Sequence, residues 1–134
     1  MSSNFYIEYH STYLLVHHAP DFDITNEGMT KFWITLAAAY QTTGCKRIIW
    51  EGRIGERPMN NTQIFNSASQ GAQIALGLKL ACVFENYIAD ERTAFFKSVA
   101  LRKGAIIEFF TNREEAFTWL GLDPETKNIY QQLA

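Results

Sequence analysis

Two rhythms of apolar and polar positions alternate along this chain and divide it into strands and helices. Residues 4–9 and 12–18 are short runs rich in Tyr, Ile, Leu and Val, separated by His10 and Ser11. Their length and composition predict two strands joined by a tight hairpin. Pro20 and the acidic stretch at Asp21 and Asp23 then break the pattern. Met29, Phe32, Trp33, Leu36, Ala37 and Tyr40 recur at three- and four-residue spacing, which puts them on one side of a helix over 25–43. Asp23 or Thr25 can cap its first turn, because a short side-chain oxygen accepts from the free amides there. Gly44 stands where a left-handed C-terminal cap belongs.

The same reading continues to the end of the chain. Residues 46–51 (KRIIWE) predict a strand, and 52–61 a loop with two glycines, a proline and charges of both signs. Ile64, Ala68, Ala72 and Ala75 share a face of a second helix that begins at Thr62 and ends by Gly77. Residues 78–84 are a nearly unbroken apolar run, the mark of a strand covered on both faces. Asp90 caps a third helix whose Phe95, Phe96 and Val99 face inward and which Gly104 stops. Residues 105–110 predict another buried strand. Thr111 and Glu114 form a capping box at the start of a fourth helix, with Ala116, Trp119 and Leu120 inward and Gly121 at its end. Asp123 and Pro124 open a short final helix to about residue 133. A hairpin followed by alternating helix and strand predicts an α/β fold: a mixed sheet, antiparallel at its start and parallel through its centre, flanked by helices.

Composition narrows the functional classes. At 134 residues the chain is expected to form one domain over 1–134, and 47% hydrophobic residues supply a core without staples. The net charge of −2 argues against a nucleic-acid binder, which needs a basic face to neutralise phosphates. Cys82 lies inside an apolar run and reads as a reduced structural thiol. No charged-then-apolar leader and no apolar stretch near ~20 residues is present, so stable membrane insertion is not expected and the cytoplasm is the expected compartment.

Three features together resemble the STAS superfamily, and more closely its SpoIIAA-like branch of small stand-alone bacterial proteins. They are the opening hairpin followed by a long helix, the stretch KRIIWEGRIGERPMNNTQIF, and the closing AIIEFFTNREEAFTWLGL. The resemblance covers residues 5–122 and implies a binding or regulatory module that works by protein–protein interaction. In better known STAS proteins a Ser or Thr at the start of the second helix, in a motif close to Asp-Ser-[Ser/Thr]-Gly, is phosphorylated to switch partner binding. Here Thr62 matches the phosphoacceptor, while Asn60 and Gln63 stand where the acidic residue and the glycine would be. An alternative reading is a carrier of a small hydrophobic ligand or lipid, related to the CRAL-TRIO fold.

The best candidate site is the loop after the third strand. It leads from a parallel strand into a helix N-terminus, where open α/β sheets bind ligands and where free amides favour an anion. Trp50, Arg53, Arg57, Asn60 and Asn61 are its candidate binding residues, with an anion expected at the start of the second helix. The structural reading of the same residues is that Asn61 or Thr62 caps the helix and the arginines pair with Glu51 and Glu56. Trp50 lines a pocket or, more simply, packs in the core. His17 and His18 are adjacent on a strand, so they point to opposite faces and do not chelate one metal together. No metal-ligand spacing, nucleophile elbow or P-loop is present, so neither a cofactor nor catalysis is expected. The expected partner is a protein, a second copy of this chain included.

Overall fold

The computed structural model describes residues 5–18, 26–53, 60–74 and 77–122. The expected cap at Asp23 or Thr25, the candidate Arg57 with Glu56, and the final helix after Asp123 lie outside the described residues. The chain runs β1 (Phe5–Tyr9), β2 (Leu14–His18), α1 (Asn26–Thr43), β3 (Arg47–Gly52), α2 (Asn61–Ala72), β4 (Lys79–Phe84), α3 (Glu91–Arg102), β5 (Ile106–Phe110) and α4 (Arg113–Leu120). The strands form one five-stranded sheet in the order β1-β2-β3-β4-β5. β1 is antiparallel to β2, and every later pairing is parallel. This is the mixed α/β sheet that the alternation of elements predicts.

Alternation along each strand sorts the side chains onto two faces. Leu14 and Val16 of β2, Ile48 and Trp50 of β3, and Leu80 and Cys82 of β4 pack with Phe32 and Leu36 of α1, Ile64 and Ala68 of α2, and Phe96 and Val99 of α3. The opposite face is smaller: Tyr13, Leu15, Ile49, Ala81 and Val83 pack under Ala116, Phe117 and Leu120 of α4. Crossovers of one hand that always step to the next strand in the same direction place their helices on the same face. α1, α2 and α3 therefore share one side, and among the described helices α4 alone lies on the other.

Several local details follow from side-chain chemistry. Small residues on α2 let α1 approach: a Cβ on Gly71 would lie 3.1 to 3.3 Å from atoms of the Trp33 ring. The Trp33 indole N–H donates to the Ser67 hydroxyl at 2.8 Å. Gly44 and Gly121 close α1 and α4 with φ of 70° and 72°, as their place in the sequence predicts. α2 ends earlier than expected, in a tightened last turn where the Gln73 and Ile74 amides donate to the carbonyls of Gln70 and Gly71, both at 3.2 Å.

Two expected caps move by one or two residues. Asn60, not Asn61 or Thr62, caps α2, since its side chain accepts from the Gln63 amide while the Gln63 side chain accepts from the Asn60 amide. Asn112, not Thr111, caps α4 by accepting from the Glu115 amide at 2.9 Å. In both places the residue with extended backbone lies three before a residue whose amide it can satisfy. On α4 Phe117 is buried with Ala116 and Leu120, while Trp119, expected inward, is half-buried against Phe110.

Candidate functional site

A pocket of about 380 Å³ opens at the carboxyl ends of the parallel strands, beside the N-terminus of α4. His17 and His18 come from the end of β2, Glu51, Gly52 and Arg53 from the end of β3, and Val83 and Glu85 from the end of β4. Thr111, Asn112 and Arg113, which join β5 to α4, close the far side. This is the end of an open α/β sheet where ligands bind, since the strand ends diverge there and the following loops turn away.

Each wall of the pocket is held in place. Arg113 forms a two-pronged ion pair with Glu51: Nη2 donates to Oε1 at 2.5 Å and Nε donates to Oε2. The hydrogen bond from Arg113 to Glu51 is the main reason that the guanidinium is pushed above its already high value. His17 sits on the other side of the same carboxylate, with Nδ1 3.6 Å from Oε1, and its ring lies against Tyr6. At the rim, Arg53 Nη1 donates to Glu85 Oε1 at 2.6 Å in a pair that is exposed on both sides.

Beneath the pocket, His18 is buried at 2% exposure and uses both ring nitrogens. The Trp50 indole N–H donates to Nδ1 at 2.8 Å. An indole nitrogen can only donate, so Nδ1 is the acceptor and the ring is the neutral Nε2–H tautomer. Nε2 meets the Arg53 main chain twice: as Nε2–H it donates to the carbonyl at 2.9 Å, while the Arg53 amide N–H, itself a donor, points at the same atom at 3.1 Å. Burial lowers the His18 pKa from 6.5, the hydrogen bond to the Arg53 backbone opposes it, and the charge of His17 adds to the lowering. Gly52 faces the ring at such short range that a Cβ there would overlap Cε1, Nε2 and Nδ1. Its φ is not positive, so glycine is needed here for space rather than for an unusual backbone.

A second polar group adjoins the pocket on the smaller face. Tyr13 is 1% exposed, its hydroxyl has no hydrogen-bond partner among the described residues, and its pKa is pushed up to about 12, chiefly by burial. Its ring stacks on His10 at 4.4 Å between centroids, and His10 Nε2 lies 3.2 Å from Glu8. Cys82 is buried on the opposite face, and burial raises its thiol well above the usual range.

The expected site is thus divided. Trp50 is a core residue at 5% exposure, touching Phe32, Trp33 and Phe84, and it reaches the pocket only through His18. Arg53 does line the pocket, but it pairs with Glu85 and not with Glu51, which Arg113 holds instead. Asn60, Asn61 and Thr62 begin α2 and are exposed there, outside the pocket lining. His17, His18, Glu85, Asn112 and Arg113 are pocket residues that motif reading passed over. One sequence signal pointed to them, namely their place at the carboxyl ends of parallel strands.

Comparison of the chain with protein-family models, with curated proteins and with solved structures returns no match. What defines the chain is its fold, an α/β protein with a mixed five-stranded sheet and a polar pocket at the carboxyl edge. No helix among the described residues is long and apolar enough to cross a membrane.

Proposed function

We propose that the chain is a non-catalytic binding module of the STAS-like kind, cytoplasmic, which recognises a protein partner through the carboxyl edge of its sheet. The observation that carries this reading is the pairing of charges in the pocket. Glu51 is taken by Arg113 and Arg53 by Glu85, so the wall presents ion pairs. The outer pair is exposed and costs little to open, because exposed salt bridges contribute ~0–1 kcal/mol. A partner with charges of its own can exchange for either member, which gives register and selectivity. A lipid tail is a poor occupant of a pocket lined by two glutamates and two arginines. The near-neutral chain likewise offers little to a nucleic-acid backbone.

The test is affinity capture with quantified recovery, using wild type, Arg53→Glu, and Ile34→Asp on the exposed face of α1 as a control. A partner of this edge is lost from Arg53→Glu and kept by Ile34→Asp. Equal recovery by all three removes the reading. Thr62 is exposed in the first turn of α2, so phosphorylation there is sterically open. If it switches binding, Thr62→Asp and Thr62→Ala capture different amounts of the same partner; identical recovery rules the switch out.

A further inference from the structure

The amino ends of the parallel strands carry a surface unlike that of the pocket. Arg47, Lys79 and Ile106 open β3, β4 and β5 and are register partners, so they stand in one row on the α4 side of the sheet. Arg47 Nη1 donates to the Leu120 carbonyl at 3.3 Å, and Lys79 Nζ lies 5.1 Å from the centre of the Trp119 ring. Lys46 precedes the row, with its Nζ 4.0 Å from where a Cβ on Gly77 would stand. The Gly77 amide donates to the Gly104 carbonyl at 3.0 Å, which brings in Arg102 and Lys103 at the end of α3.

Five cations therefore share this edge, and none of them has a carboxylate partner among the described residues. The carboxylates of the next row on that face, Glu8 and Glu108, lie 3.2 Å from His10 and 2.5 Å from Lys97. Part of the positive charge complements the fold: Arg102 and Lys103 follow the end of α3, and Arg47 meets the last turn of α4. Each helix end supplies only roughly half a negative charge, so the cations outweigh it, and Lys46 and Lys79 lie at strand starts. Apolar side chains are exposed among them. Leu101, beside Arg102, is 63% exposed, Ile106 of the row 42%, and Phe65, with Lys103 Nζ 5.5 Å from its ring centre, 45%.

We infer that this edge is a docking surface for an anionic lipid bilayer, on which the protein lies without crossing it. Nucleic-acid phosphates are gripped by helix N-termini and amides as well as by side chains, whereas these helices present their carboxyl ends here. Leu101 and Ile106 gain nothing against a sugar–phosphate chain. At a headgroup layer they reach the acyl boundary while lysines on flexible stems stay with the phosphates. The cations spread over three strand starts and a helix end, a surface and not the line that an acidic peptide follows. The net charge of −2 does not oppose this docking, because strands of this length hold the two edges about 17–20 Å apart, beyond the ~10 Å reach of exposed charges in salt. Docked in this way, the protein turns its pocket away from the bilayer. The inference does not depend on what the pocket binds.

The experiment is co-sedimentation of the full chain with phosphatidylcholine vesicles, with and without about a third phosphatidylserine. The chain is expected to bind the anionic vesicles only, and less as salt rises. Lys46→Gln and Lys103→Gln each weaken binding roughly fivefold, and together about 25-fold. Leu101→Ser weakens the binding that persists at high salt. Arg92→Gln, an exposed cation at the start of α3 on the opposite edge, leaves binding unchanged. Absence of binding to the anionic vesicles, equal binding to both kinds, or an equal loss with Arg92→Gln overturns the inference. So does retention of single-stranded DNA or polyglutamate at a salt concentration that releases the vesicles, since the surface then belongs to a nucleic acid or an acidic protein. Arg53→Glu, which addresses the pocket, leaves vesicle binding intact, so the two surfaces stand or fall separately.

Discussion

Replacing Gly52 by alanine adds one methyl group where the structure leaves no space for it. The new Cβ would overlap three atoms of the His18 ring, which is buried and bonded at both nitrogens. Overpacking of this kind costs ~1–3 kcal/mol. Pushing the ring aside also leaves the Trp50 indole N–H buried without an acceptor, which costs ~1–3 kcal/mol more. Alanine recovers ~0.5–1 kcal/mol over glycine in a strand. The expected net loss is thus about 3 kcal/mol. Urea unfolding followed by tryptophan fluorescence reads it as a fall in midpoint of about 2 M, at an m-value of ~1.5 kcal/mol/M. The decisive comparison is the same substitution in a His18→Ala background, where the space is empty and the added methyl costs less than ~0.5 kcal/mol. A loss below about 1 kcal/mol in the wild-type background, or an equal loss in both, refutes the argument that His18 is what forbids a side chain here.

Other substitutions probe the same region from different sides. Since the folded-state pKa of His18 is lowered, the unfolded chain takes up a proton that the fold refuses; stability is full above pH 6.5 and falls as pH drops below it, which the urea midpoint measured against pH will show. Arg113→Met leaves Glu51, at 13% side-chain exposure, without its arginine and with only His17 beside it, and is expected to cost ~2–3 kcal/mol, whereas Arg53→Ala at the exposed rim costs under ~0.5 kcal/mol; equal effects on the unfolding midpoint count against the assigned pairings. Tyr13→Phe removes a buried hydroxyl that has no partner among the described residues and should gain up to ~1 kcal/mol, with a loss of stability as the sign that the hydroxyl is bonded. The raised tyrosine pKa of about 12 adds that wild type loses stability as pH climbs from 10 towards 12, and that the phenylalanine variant lacks this component.

Much of the fold was legible because its elements announce their ends. The apolar spacing of α1 from Met29 to Leu36, the unbroken run of β4 and the glycines at 44, 104 and 121 each speak of one element and need no knowledge of the rest. Caps were legible only to within a residue or two, since Asn60, Asn61 and Thr62 all carry the right chemistry and only the backbone selects one. Ion pairs were less legible still. Glu51 and Arg53 are two apart, a spacing that puts residues of one strand on the same face, but β3 ends at Gly52 and the Arg53 side chain goes to Glu85 instead. Arg113, 62 residues away, reaches Glu51 because the β5–α4 connection passes over the end of β3. The bond from Trp50 to His18 was equally hidden, since it depends on the register of β2 against β3.

The location of the pocket follows from the winding of the chain. α1, α2 and α3 cover the face that carries Val16, Trp50 and Cys82, so the strand positions facing them must be apolar to their ends or be satisfied internally, as His18 is. The other face has α4 as its described cover, which reaches Leu15, Ile49, Ala81 and Val83 but begins too late in the chain to cover the strand ends beyond them. At those ends the side chains are free to be polar, and they are: His17 after Leu15, Glu51 after Ile49, and Glu85 after Val83. Each follows its buried neighbour by two residues, which is the repeat of a strand face. The charged rim is thus the continuation of the smaller core past the edge of its helix. His18, one residue out of phase, turns its ring to Trp50 in the large core and holds the Arg53 main chain at the edge of the pocket it helps to line.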